Sequence, residues 1–286
     1  MLRRSNASAT ECSEARSSPQ PESPDVNDAS ARLESAGETA ARTLAQRSHE
    51  ARVEHQPAFV LHSYPWRETS LIVEILSRDF GRIALVARGA KRPASQFRGI
   101  LLPFSPLALS WAGRAELKTL VRAEWQGGLA PLRGEGLLAA FYLNELLVRL
   151  LPRADAHPAL FASYVQSLAA LASGSAAGDG VLRCFELDLL RDLGVAPSFQ
   201  SCRDGEPIEP ALWYRFDLHA GLRRSLDPDE PDRLRGTALI ALARRDLSDP
   251  IALAAAQPLL KRLIGYHLEG KPLNARRMLI ELHGLK

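Results

Sequence analysis

Methionine occurs only twice in 286 residues and cysteine only three times. The cysteines, Cys12, Cys184 and Cys202, are odd in number and far apart, which excludes a disulfide framework. No run approaches the ~18 uninterrupted apolar residues of a membrane span, so no membrane partner is expected. Arg3 and Arg4 are followed by no apolar stretch, so no secretory leader is expected and the expected compartment is the cytoplasm. Nucleotide-driven chemistry has no footing either. Arg88-Gly89-Ala90-Lys91 lacks the spacing of a phosphate-cradling loop. A Gly-x-Ser-x-Gly elbow is missing, and the seven histidines form no His-x-x-x-His pair. A two-metal nuclease needs converging carboxylates. Glu68, Glu74, Asp79, Glu116 and Glu124, the acidic residues of segment 56–133, fall on separate expected strands and turns. These absences speak against an enzyme, and no catalytic residue or cofactor is expected.

What is present is unevenly placed. Segment 56–133 carries 11 basic against 5 acidic groups, while 1–55 has 7 against 9 and 134–286 has 18 against 19. The positive charge is therefore concentrated in one segment suited to a polyanion. Residues 1–55 contain no aromatic residue and are rich in Ala, Ser, Glu, Arg and Pro, the composition of a disordered tail.

From Pro57 onward, short alternating runs punctuated by Gly, Pro and Asp predict five strands: Phe59–Tyr64, Ser70–Leu76, Arg82–Ala87, Ser105–Trp111 and Leu117–Glu124. Five short strands fit a closed OB-fold barrel over 56–133, because closure removes exposed edges. After Gly136 the apolar period lengthens from 2 to 3.6. Helices are expected from Leu137 to Leu150, Pro158–Leu171, Val181–Leu193, Asp232–Arg245, Asp249–Leu268 and Arg276–Leu282. A loop-rich stretch, 197–228, with a hairpin near Trp213–Phe216, interrupts this helical domain of 134–286. The expected class is α+β multidomain: a five-stranded OB-fold barrel followed by an all-α domain.

The chemistry-bearing feature is the connection Arg88–Arg98 between barrel strands. Arg88, Lys91, Arg92 and Arg98 are suited to neutralising phosphates. Phe97 and Trp66 offer rings for base stacking. Each ring has a plainer reading: Phe97 plugs the barrel end, and Trp66 packs beside Pro65. A barrel that binds protein in place of nucleic acid is the rival function. Cys202 stands in Ser201-Cys202-Arg203-Asp204-Gly205, where a zinc ribbon needs a second cysteine at 205. Tetrahedral zinc takes four N or S ligands, so no metal is expected.

Seven segments in order resemble the RecO family over about residues 57–280. They are Phe59–Ser70, Gly81–Lys91 (Gly81-Arg82 and Val86–Lys91), Leu102–Leu107, Leu117–Leu120, Tyr142–Leu147, Leu182–Leu187 and Gly270–Leu273. The resemblance implies a DNA repair and recombination mediator of the RecF pathway, with an N-terminal OB-fold and a helical C-terminal domain. It implies binding of single- and double-stranded DNA, annealing of complementary strands, and cooperation with RecR in loading RecA. It also implies docking of the C-terminal tail of single-stranded DNA-binding protein on the helical domain. Arg183 matches a family arginine suited to that tail's carboxylate, although it also stands beside Glu186. Many members carry a four-cysteine zinc site, which this chain lacks apart from Cys202. The DNA-contact positions carried over are Arg88, Lys91, Arg92 and Arg98.

Overall fold

The computed structural model describes residues 52–174 and 178–275. The expected tail up to residue 51 and the whole of the expected last helix, Arg276–Leu282, lie outside them. The chain opens with β1 (Arg52–Trp66), β2 (Ser70–Ser77), β3 (Gly81–Ala87), β4 (Leu107–Ala112) and β5 (Leu117–Trp125). These close into a barrel in the order β1-β2-β3-β5-β4, with β3 and β5 parallel and the other neighbours antiparallel. Closure leaves no free edge to aggregate. Val60, Ile75, Leu85, Leu109 and Trp111, all fully enclosed, fill its interior.

β1 is longer than its alternating core suggests. Its first half pairs with β4 and its second half with β2, so one strand closes the barrel. Pro65 sits inside the strand opposite Leu71, where a break was expected. Beyond Ala58 the only ladder is to β2, so a residue without an N–H is tolerated there as on an edge strand.

The helical part comprises α1 (Gly134–Leu150), α2 (Pro158–Ala172), α3 (Gly178–Asp192), α4 (Gly236–Arg244) and α5 (Pro250–His267). Between α3 and α4 lies a three-stranded sheet in the order β7-β6-β8: β6 (Trp213–Asp217), β7 (Gly221–Arg224) and β8 (Arg233–Arg235). A helix was expected from Asp232, but Arg233–Arg235 pairs with β6 and the helix begins only at Gly236. Gly236 is required at that corner, because a Cβ there would lie 1.9 Å from the Glu209 carbonyl oxygen. Asp249 caps α5, its carboxylate accepting from the backbone of Ile251 and Ala252.

Barrel and helices share a second core. Phe59 and Leu61 of β1 pack with Tyr164 and Phe185, and the Phe59 and Tyr164 rings meet edge to face at 5.3 Å. A register shift between Val60 and His62 marks a bulge at Leu61. The Leu61 carbonyl accepts a 2.9 Å hydrogen bond from Asn144 Nδ2 on α1, and the Tyr164 hydroxyl donates to Asn144 Oδ1 at 2.5 Å. Buried with no charged partner, the Tyr164 phenol is pushed well above its ordinary pKa.

A second tie is ionic. Glu74 of β2 is buried and accepts from Arg82 Nη1 at 3.2 Å and from Arg153, in the α1–α2 connection. Arg153 also pairs with Glu116 at 2.6 Å, and Arg82 Nε donates to the Leu151 carbonyl at 2.9 Å.

Candidate nucleic-acid interface

The Arg88–Arg98 connection is a spiral of tight turns. Backbone bonds close it from Ala90 N to Ala87 O, Arg92 N to Gly89 O, Ser95 N to Arg92 O and Arg98 N to Ser95 O, at 3.0–3.4 Å. Gly89, at φ +67°, supplies the left-handed residue that starts the spiral. Its apolar members turn inward: Ala90, Phe97 and Leu101 are buried in the barrel core. Its four cations turn outward. Arg88, Lys91, Arg92 and Arg98 are all exposed, and none forms an ion pair within the described residues. Arg98 Nη1 makes only a long 3.4 Å contact with Pro93 O of its own loop.

Two attachments fix the loop against the barrel. Lys91 N donates to Thr69 O at 2.9 Å and Gly89 N to Ser70 Oγ at 3.4 Å, joining its start to the β1–β2 turn. Gln96 Nε2 reaches Val121 O of β5 at 3.4 Å, joining its second half to the opposite strand. The first attachment sets Trp66, 39% exposed, and the exposed Arg67 beside the cations. Arg67 is a fifth cation that motif reading left out, and its signal is positional: it occupies a two-strand turn that the loop's backbone bonds.

Of the two rings expected to stack, Trp66 is exposed and Phe97 is not. Phe97 is 6% exposed and belongs to the barrel core, so its face meets side chains and no base. Its burial is what forces the neighbouring arginines out. Two cations of β5 are occupied: Arg122 pairs with Glu124 at 2.6 Å, and Lys118 is buried with Nζ donating to Ala115 O at 3.1 Å. Desolvation lowers the Lys118 pKa against a smaller upward pull from Glu116.

Arg183 lies elsewhere, on α3, and is 6% exposed. Its Nη2 bonds Glu186 Oε1 at 2.7 Å, and Tyr142 donates its hydroxyl to the same carboxylate. Arg183 is therefore buried in an intramolecular pair with Glu186 and is not an ordinary exposed arginine beside it. Its Nε and Nη1 have no hydrogen-bond partner among the described residues. A cavity of about 330 Å³ opens beside α3, lined by Val181, Cys184, Arg245 and Leu247 among others.

The Ser198–Ile208 loop is held by backbone bonds: Cys202 N to Glu206 O at 2.8 Å, Arg203 N to Leu222 O at 2.8 Å and Ile208 N to Gln200 O at 3.1 Å. Cys202 is buried within the helical core, which pushes its thiol pKa up. Among the described residues no helix is long and apolar enough to cross a membrane.

Residues 52–128 match the family model described as recombination protein O N terminal, and residues 132–277 match recombination protein O C terminal. The junction falls between the end of β5 and the start of α1. A DNA repair protein RecO from Ralstonia nicotianae is 52% identical over 238 residues, covering 82% of this chain and 87% of its own. Proteins of the same name from Cupriavidus pinatubonensis and Dechloromonas aromatica are each 48% identical over 239 residues. They cover 82% of this chain, and 82% and 98% of their own lengths respectively.

Proposed function

Because the chain belongs to the RecO family of DNA repair proteins, we propose that its barrel binds single- and double-stranded DNA through the Arg88–Arg98 loop and anneals complementary strands. The observation that carries this reading is the set of four exposed cations, on one anchored loop, that form no ion pair among the described residues. Two nucleic-acid strands repel each other, and a cationic face lowers that repulsion by taking up phosphate charge and releasing counterions. No bond is made or broken, so what the protein contributes is proximity and charge. Trp66 adds a stacking surface beside the cations.

In the same proposal the protein acts with RecR to help load RecA onto strands coated by single-stranded DNA-binding protein. The helical domain takes that protein's acidic C-terminal tail, with Arg183 as the candidate carboxylate ligand. The unpartnered Nε and Nη1 of Arg183 support this, but the incoming carboxylate would have to enter a buried site already holding Glu186.

The test is the salt dependence of binding. Changing Arg88, Lys91 and Arg92 together to Ala is expected to reduce the slope of log affinity against log salt by about one unit per lost phosphate contact, about three in all. Annealing of bare oligonucleotides should slow in parallel. An unchanged slope would reject the loop as the binding face and favour a barrel that docks protein.

A further inference from the structure

We infer that Trp125, together with Trp66, makes the cationic face selective for unpaired bases over duplex DNA. This rests on the DNA-binding reading of the loop and adds to it a ligand state and a binding residue.

Trp125 is the last residue of β5 and is 67% exposed, more than any other aromatic residue described. Its neighbours explain why the ring is outside. It pairs with Leu107, the first residue of β4, and Leu107 is enclosed in the barrel core at 1% exposure. Trp125 is thus still in the barrel ladder, but its side chain stands on the outer face, away from the core that Leu107 enters. The position is nonetheless fixed. Gln126 N donates to Pro106 O at 2.9 Å, locking the strand end to the chain entering β4. Gly127 then turns the chain back at φ +70°, and a Cβ built there would lie 3.6 Å from Trp125 Cη2. The ring thus rests against a turn of backbone and leaves most of its surface to solvent.

The loop connects this ring to Trp66. Lys91 is bonded to Thr69, beside Trp66, and Gln96 is bonded to Val121, on the strand that ends at Trp125. Arg92 lies on the chain between these two anchor points, Lys91 is the first of them, and Arg88 and Arg98 flank them on either side. A single strand laid along the loop would place phosphates on Arg88, Lys91 and Arg92, with bases free to stack at either end. Duplex DNA has its base faces already stacked, so it can use the cations but not the indoles. Stacking tolerates any base because every base has a π face. That property suits a face that must accept strands of arbitrary sequence.

The test uses the full chain and three probes of equal length: oligo(dT), an abasic deoxyribose-phosphate oligomer, and a fully paired duplex. Trp125→Ala is expected to weaken oligo(dT) binding by roughly tenfold. Abasic and duplex affinities should be unchanged, and the salt slope for oligo(dT) preserved. Trp125→Phe should recover most of the loss, since a ring is retained. Equal thermal unfolding of the variants would show that the fold is kept, as expected for a side chain so exposed. If oligo(dT) affinity does not change, or if all three probes weaken equally, the inference is overturned. Either result is separable from failure of the loop itself, which is read from the salt slope of the triple cation variant.

Discussion

Asn144 performs three jobs with one amide. Its nitrogen satisfies the carbonyl left over at the β1 bulge, its oxygen accepts from Tyr164, and its backbone belongs to α1. Asn144→Ala would leave a buried carbonyl and a buried hydroxyl without partners. At about 1–3 kcal/mol for each buried group left unsatisfied, a loss of roughly 2 kcal/mol or more is expected in denaturant unfolding, with no change in the salt slope of DNA binding. The cations of the loop were legible because runs of Arg and Lys between strands have few structural uses. Phe97, Trp66 and Trp125 were not separable by type: all are aromatic residues near turns. Only closure of the barrel decides that Phe97 plugs it while Trp66 and Trp125 stay outside its core. The burial of Arg183 was illegible for a similar reason. An i,i+3 pair with Glu186 reads as a surface ion pair, and its burial depends on Tyr142 arriving from another helix.

At the scale of elements, the β6–β8 sheet shows how a small unit with little core is held. Glu230 gathers Ser225, Arg215 and Arg223 from the chain around it. The Ser225 hydroxyl first, then Arg215 and Arg223, lower its pKa to about 2 from an ordinary 4.5. Because the folded value is the lower one, this contribution to stability is complete above about pH 4.5 and disappears as pH falls through about 2. Thermal midpoints measured across that window should fall less steeply in Glu230→Gln than in the parent. Identical slopes would remove Glu230 from the account of acid sensitivity. The sheet also shows where periodicity fails. Arg233–Arg235 precedes a helix without a break in polar pattern, and what makes it a strand is pairing with β6. The barrel strands were readable because each alternates over its own length. The extension of β1 back to Arg52 was not, since it depends on a partner, β4, more than 40 residues away.

For the molecule as a whole, the Glu74 cluster governs whether barrel and helices move together. One buried carboxylate pairs with Arg82 from the barrel and with Arg153 from the linker between α1 and α2. Removing it leaves Arg82 without its carboxylate at a partly buried junction, a change that typically costs about 3–5 kcal/mol. Since Arg153 keeps Glu116 as a partner, Glu74→Ala is expected at the lower end, about 3 kcal/mol in denaturant unfolding. A loss below about 1 kcal/mol would show that the apolar contacts of Phe59 and Leu61 suffice alone. Gly81 reinforces the junction by allowing contact that no side chain permits, since a Cβ there would fall 1.6 Å from the Asp155 carbonyl oxygen. Two-part organisation was legible from the change of period near Gly136. The junction was not, because its partners are separated by some 70 to 80 residues.

Glu145, the residue after Asn144, accepts the backbone N–H groups of Asn274 and Ala275 at 3.0 and 2.9 Å. A carboxylate on the first helix thus caps a turn that starts almost 130 residues later. Glu145 thereby staples α1 to residues 274 and 275, so a substitution there is felt at a turn far along the chain. During synthesis α1 can form early with Glu145 paired to Arg149, whereas the staple closes only once residue 275 has emerged.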